Sequence, residues 1–202
     1  TFDNFTSGVV NLTDSTSNSA AVTVTNTNLS NADTIGTTRQ TSVSLLIGSG
    51  VTASADLNPP FTNMAFSSDV GATGQFMLLY AGTNGTLGGV DLTLGGTATG
   101  IELTLLAADD NATFIIDVFD GALTASKSVV SVAGPQVLSF PYAMFSNTTA
   151  LTSAATIKVT VNGQDAGDYL IDDIKVVPEP VIAPILLMGM GLLVGLRPKR
   201  TG

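Results

Sequence analysis

Nine stretches within the first 177 residues alternate apolar and polar side chains, or run briefly apolar, between clusters of turn-forming residues. Ala21-Val22-Thr23-Val24-Thr25 alternates cleanly, and Ser42 to Ile47 ends at Gly48-Ser49-Gly50. Gln75 to Tyr80, Val90 to Leu94 and Ile101 to Leu106 are each followed by Gly- or Asp-rich punctuation. Thr113 to Phe119, Val137 to Phe140, Ile157 to Val161 and Tyr169 to Val177 complete the series. Period-two alternation with β-branched residues is the signature of half-buried strands. Recurrence about every 10–15 residues predicts an all-β sandwich or barrel. Asp120-Gly121 and Asn162-Gly163 read as tight turns between strands. A short turn is expected near Tyr142 to Phe145, and no helical period precedes Pro178.

Composition narrows the chemistry. The 202-residue chain has no cysteine, so no disulfide framework holds it together, and its length suffices for one domain with a real core. Histidine is also absent, which removes the usual general base near neutral pH and the commonest metal ligand. Ser-His-Asp and Cys-His catalysis and ordinary zinc sites are thereby excluded. Three of the seven bases, Arg197, Lys199 and Arg200, lie at the C-terminus; without them the net charge of −9 becomes −12 over residues 1–180. Such a surface repels nucleic acid and anionic lipid headgroups, so no nucleic-acid partner is expected.

The end of the chain is built differently. Pro178-Glu179-Pro180 precedes an uncharged apolar run, Val181 to Leu196, and Arg197-Pro198-Lys199-Arg200 follows. As a helix over 181–196 the run would span roughly 24 Å at 1.5 Å per residue. That is slightly short of a bilayer core of about 30 Å. Snorkelling by the basic cluster at 197–200 extends its reach, and the positive-inside rule holds that cluster in the cytoplasm. Two domains are therefore expected: a β-sandwich ectodomain over 1–177 outside the cytoplasm, and an anchor segment over 178–202. No signal peptide precedes Thr1, and export predicts that Thr1 follows a removed leader.

This tail resembles the PEP-CTERM sorting signal, which surface proteins of Gram-negative bacteria carry as the substrate of a membrane-embedded exosortase. The residue after the second proline, often Ser or Thr in that family, is Val181 here, and the often Arg-rich end is Arg-Pro-Lys-Arg. The likeness extends forward. Thr1 to Phe5 and Tyr169-Leu170-Ile171-Asp172-Asp173-Ile174-Lys175-Val176 look like the paired terminal strands of PEP-CTERM jelly-roll ectodomains. Gly88 to Leu92, Val118 to Gly121 and Ser139 to Phe145 are similar to the same group. The resemblance implies a jelly-roll-like antiparallel β-sandwich followed by one C-terminal hydrophobic helix of transmembrane type. It further implies a sorting motif comprising Pro178, Glu179, Pro180, Arg197, Lys199 and Arg200, and an exosortase-type partner. Export to the cell surface or beyond, with at least transient inner-membrane anchoring, goes with it.

Candidate ligand sites are few. Along an alternating strand Asp172 would share a face with Leu170 and Ile174, and Asp173 with Ile171. One aspartate therefore falls among apolar neighbours unless a bulge shifts the register. With Asp3 brought alongside by terminal-strand pairing, Asp3, Asp172 and Asp173 form a candidate calcium site, against simple hydrogen bonding to loop amides or plain exposure. Asp109-Asp110-Asn111 and the segment Asp165 to Asp168 are weaker cation candidates, without EF-hand spacing. A glycosidase carboxylate pair has only Glu102 and Glu179 as glutamates, one on a strand and one in the sorting motif, so no enzyme is expected.

Glycan binding by aromatic stacking has Tyr80, Tyr142 and Tyr169 to draw on, there being no tryptophan, with most of the nine phenylalanines assigned to the core. The Asn-x-Ser/Thr triplets at Asn4, Asn11, Asn28, Asn84, Asn111 and Asn147 are expected by chance in a Thr-rich chain. The leading expectation is a non-catalytic exported structural protein of the cell surface or extracellular matrix. Its exposed strand edges would allow copies to assemble into a filament or sheath. A carbohydrate-binding module of the exopolysaccharide matrix is the alternative.

Overall fold

The computed structural model describes residues 2–49, 52–57 and 62–179. Among the described residues twelve strands form two six-stranded antiparallel sheets packed face to face. The first sheet runs β1 (Val10–Asp14), β4 (Ala53–Leu57), β5 (Met64–Ser68), β12 (Asp168–Pro178), β7 (Ala98–Ala108), β10 (Gln136–Pro141). The second runs β2 (Val22–Asn26), β3 (Arg39–Ile47), β6 (Thr73–Tyr80), β11 (Thr156–Asp165), β8 (Thr113–Phe119), β9 (Thr124–Val130). This is the expected sandwich. The helices among the described residues are three short 3-10 turns, one of them the expected turn at Tyr142–Met144. No helix among the described residues is long and apolar enough to cross a membrane. The expected helix over 181–196, with Pro180 and the cluster Arg197, Lys199 and Arg200, lies outside the described residues.

Alternation determines which side chains go in. On β8 Phe114, Ile116 and Val118 are buried, and on β11 Ile157, Val159 and Val161. Facing them from the other sheet are Ile101, Leu103 and Leu105 of β7 and Tyr169, Ile171 and Ile174 of β12. Aromatic pairs lock the layers together. Phe66 of β5 stacks on Phe76 of β6 with centroids 4.6 Å apart, and Phe114 meets Tyr169 edge-on at 6.1 Å.

Four strands did not register as such in the sequence: β1, β4, β5 and β9. β1, β4 and β5 have five residues each and β9 has seven, and β4 and β5 draw much of their inward face from Ala53, Ala55 and Met64 instead of β-branched residues. Conversely, Val90 to Leu94 is not a strand. Val90 makes one bridge to Ala154, then the Asp91 carboxylate accepts from the amides of Thr93 and Gly95 and bends the chain into a loop. Leu94, Gly95 and Gly96 all take positive φ there. Asn162-Gly163 is no turn either; it lies inside β11, where a Cβ on Gly163 would sit 3.2 Å from the Gly74 carbonyl. The chain reverses later, at Ala166 and Gly167.

The N-terminal segment is held by a buried ion pair. Asp3 bridges Ile174 of β12, with Ile174 N donating to Asp3 O at 2.8 Å. Its carboxylate takes both oxygens' worth of bonds from Arg39 Nη1, at 2.9 and 3.1 Å, and one from the Tyr80 hydroxyl at 2.9 Å. The Phe5 amide donates to it as well. Arg39 also donates to the Ser7 carbonyl and sits 5.3 Å from the Phe5 ring centroid. Neither charge touches solvent. Burial raises the Asp3 carboxyl above the usual carboxylate value, against the pull of Arg39. Burying both charges offsets much of the pair's mutual attraction, while its directional bonds fix where residues 2–7 lie.

Removing one partner strands the other's charge in the core. Asp3→Ala is expected to lower unfolding free energy by about 3–5 kcal/mol in a urea titration. Adding Arg39→Met to that variant is expected to restore most of the loss. A double variant no more stable than the single one would show that placement and charge cannot be separated.

Candidate functional site

Two surface regions gather chemistry. The first lies on the outer face of the second sheet, where β11 runs between β6 and β8. Register sets Lys158 opposite Leu79 of β6 and Asp117 of β8, and Thr156 opposite Phe119. With Ile116 and Val118 turned inward, the same alternation sends Asp117 and Phe119 outward. Leu79, Asp117, Phe119, Thr124, Thr156 and Lys158 line a shallow groove of about 270 Å³. Lys158 Nζ lies 2.9 Å from Asp117 Oδ2, and Ser126 Oγ donates to Asp117 Oδ1 at 2.6 Å. The ion pair cancels its own charge, and Lys158 and Asp117 each keep hydrogen-bonding capacity beyond these contacts. Phe119, 38% exposed, is the only exposed aromatic side chain among the described residues. An aromatic surface beside fixed donors and acceptors can take the C–H face of a sugar while binding its hydroxyls.

The tyrosines that the sequence offered for stacking are elsewhere. Tyr80, Tyr142 and Tyr169 are 0%, 7% and 2% exposed. Each hydroxyl has an internal acceptor: Asp3 for Tyr80, the Leu92 carbonyl for Tyr142 and Asp110 for Tyr169. They are core residues with satisfied polar ends, and the stacking role expected of them is corrected on that ground. Phe119 was legible in principle, as the outward residue closing an alternating strand whose Phe114, Ile116 and Val118 face in.

The second region is a cleft of about 660 Å³ at one end of the sandwich, lined by Asp109, Asp110, Asn111, Ala133, Gln164 and Asp165. The two weaker cation candidates are thus brought together. Their carboxylates are already engaged in part, Asp110 by the Tyr169 hydroxyl and Asp165 by the Gly71 amide. Among the described residues no three acidic side chains converge to hold one ion.

Asp3, Asp172 and Asp173 are near one another in the chain trace but differ in setting. Asp3 is buried on Arg39. Ile171 pairs with Leu105 and Asp173 with Thr104, so Asp172 is the extra residue of a bulge. That shift turns Ile171 and Ile174 inward together and leaves both aspartates half-buried on the outer side. Asp173 Oδ2 lies 3.6 Å from Lys175 Nζ, which is equally far from Glu102. Asp3 therefore has a cation of its own on the inner side, while Asp173 has Lys175 outside.

Pro178 and Glu179, which the sequence assigned to an expected sorting motif, are continuous with β12: Pro178 pairs with Ala98, and the Glu179 amide donates to the Thr97 carbonyl at 2.6 Å.

No family model and no curated protein matches the chain. Among solved structures, the chain is similar to the family 11 carbohydrate-binding module of the cellulosomal cellulase Lic26A-Cel5E of Clostridium thermocellum, at 13% identity and a TM-score of 0.44, over 87% of this chain and 92% of that one. A structure titled as a study of CBM4 gives 11% identity and a TM-score of 0.38 over 77% and 95%. An exo-β-agarase gives 14% and 0.44 over 68% of this chain and 23% of its own. No residue role is carried over from them.

Burial raises the phenols of Tyr142 and Tyr169 above the ordinary tyrosine value, and that of Tyr80 well above it. A raised folded pKa contributes stability that is complete below the unfolded value of about 10 and is lost as pH rises through the folded value. Ultraviolet titration of the native protein is expected to show no tyrosinate at pH 10. Ionisation should come at more alkaline pH and in step with loss of β-sheet circular dichroism. Independent titration of even one phenol near its ordinary value would contradict the burial described here.

Proposed function

We propose that the chain is a non-catalytic carbohydrate-binding module, exported and held at the cell surface or in the extracellular polysaccharide matrix by a PEP-CTERM-type tail. The observation that carries the binding reading is the groove around Phe119, where an exposed aromatic ring adjoins the self-neutralised Lys158–Asp117 pair. Net charge selects the ligand. With −12 over residues 1–180, the module repels polyanions, and the charges of its groove sum to zero; the ligand is a neutral polysaccharide.

Self-assembly through strand edges takes second place for a physical reason. Edge strands β1 and β2 have only five residues each, β9 carries Lys127 and β10 ends at Pro141. Short edges, lysine and proline all discourage edge-to-edge pairing. The sorting reading rests on Pro178-Glu179-Pro180, the apolar run and the basic end, with an exosortase-type enzyme as the membrane partner.

Native affinity electrophoresis tests the binding. Gels containing β-glucan, galactan, xylan or starch are expected to include at least one that retards the protein, whereas alginate should not. Phe119→Ala should abolish the retardation and lower the thermal midpoint only modestly, leaving the protein folded in the gel, since the residue is already 38% exposed. Retardation by alginate alone, or a Phe119→Ala protein that binds like the parent, would refute the reading. For sorting, a chain ending at Val177 is expected in the medium of a host with an exosortase-type enzyme, and the full chain at the cell surface. Equal distribution of the two would dispose of the tail's role.

A further inference from the structure

The end of the sandwich at which β12 finishes is built around one braced loop, Asp91 to Thr97. The Asp91 carboxylate accepts from the amide and hydroxyl of Thr93 and from the Gly95 amide. The amides of Gly96 and Ala98 both return to the Thr93 carbonyl, and the Thr97 hydroxyl donates to the Leu94 carbonyl at 2.8 Å. So held, Leu94 takes a φ of 51°, a region that a bulky side chain seldom enters. Core packing does not account for it, because Leu94 is 52% exposed. The turn Tyr142–Met144 is tied to the same loop by the Tyr142 hydroxyl on the Leu92 carbonyl, and Met144 is exposed as well. Residues 92–98 and 139–149 contain no charged side chain. The opposite end, where β12 begins, differs in character: the Asp109 amide donates to the Asp168 carbonyl there, beside the cleft of Asp109, Asp110 and Asp165.

The tail departs from the charge-poor end, and almost no chain separates the two. The Glu179 amide is held by the Thr97 carbonyl, and Pro180 alone stands between Glu179 and the apolar run that begins at Val181. Two residues reach at most about 7 Å. The headgroup layer on each side of a bilayer's hydrocarbon core is about 5–7 Å thick. A run that enters the bilayer at Val181 therefore brings Glu179 down onto the headgroups, and Thr97 with it. Leu94, three residues from Thr97 in a tightly bent loop, arrives at the same depth.

Resting on the reading of the tail as a membrane segment, we propose that this end of the sandwich is a membrane-seating surface whose partner is the phospholipid interface, entered by Leu94 with Met144 alongside. The seat is independent of what the Phe119 groove binds. Burial in the interface gives the Leu94 side chain the apolar contact that its loop withholds from it in water, offsetting the backbone conformation. The negative charge of residues 1–180 favours a zwitterionic surface over an anionic one.

The chain has no cysteine, so a single one can be introduced and labelled with an environment-sensitive nitrobenzoxadiazole dye. The full chain labelled at Leu94→Cys, Met144→Cys or Val70→Cys is reconstituted into phosphatidylcholine vesicles. Val70 is the strict control: it is 81% exposed, in the turn between β5 and β6 whose Gly71 amide bonds Asp165, so exposure alone would favour it over Leu94. Labels at 94 and 144 are expected to shift their emission to the blue and to be quenched by lipid spin-labelled near the headgroup. The label at 70 should emit as it does in buffer. Circular dichroism confirms that each variant is folded. If the chain floats with the vesicles but positions 94 and 144 are no more shielded than 70, the seat is wrong and the tail reading stands. If the full chain does not float with vesicles at all, the tail reading falls and the seat falls with it. A blue shift at 94 that spin-labelled lipid does not quench would mean that protein covers Leu94, a second copy of the chain, and would overturn the proposal.

Discussion

The register of β11 between β6 and β8 is the constraint from which the surface chemistry follows. Val159 is paired with Leu78 on one side and Ile116 on the other, and all three are buried. Because side chains alternate, fixing those three inward fixes Lys158, Thr160, Asp117, Ile115, Leu79 and Met77 outward. A slip of β11 by one residue would drive Lys158 into the core and expose Val159. The cost of burying that charge holds the register together with the gain from burying the apolar set. The external face is therefore specified by the core, and its one exposed aromatic ring is placed by the same periodicity that places Phe114.

A second constraint concerns how a sandwich without disulfides closes. The inner faces bury Phe66 on Phe76 and Phe114 on Tyr169, which joins the sheets by packing alone. The chain's start is fastened by different means. Asp3 reaches Ile174 through the backbone and Arg39 and Tyr80 through its carboxylate, so one residue ties the N-terminal segment to β12, β3 and β6. Phe2 packs on Tyr80 with centroids 4.8 Å apart and completes the fastening. Apolar residues alone could fill that space; the directional ion pair allows only one placement of the segment.

The sequence revealed strands where β-branched residues alternate over several positions, as in Thr113 to Phe119 and Ile157 to Val161. It hid them where alanine supplies the inward face, as in β4. Gly163 was misread because glycine after asparagine signals a turn, whereas here it lies within β11, where a Cβ would crowd the Gly74 carbonyl at 3.2 Å. The aspartate pair illustrates a different limit. Alternation alone required one of Asp172 and Asp173 to point inward, and also named the escape, a bulge; only the pairing with β7 decides that the bulge occurs. Asp3 was singled out as a buried carboxylate's neighbour, but its partner Arg39 lies 36 positions away and carries no local signal. Tyr80, Tyr142 and Tyr169 were weighed for stacking because the chain has no tryptophan and the phenylalanines were assigned to the core; their hydroxyl acceptors are all distant in sequence and are brought close only by the fold.

The position of the groove bears on how binding and tethering coexist. The final strand, β12, lies in the first sheet, and its pairing with β7 continues through Pro178. The Phe119 groove is on the outer face of the second sheet. The proposed tether thus leaves from the sheet that does not carry that groove, and the core separates the two. Stiffness matters here: because Pro178 is in register with Ala98 and the Glu179 amide is held by Thr97, the module is not on a loose stalk at that junction.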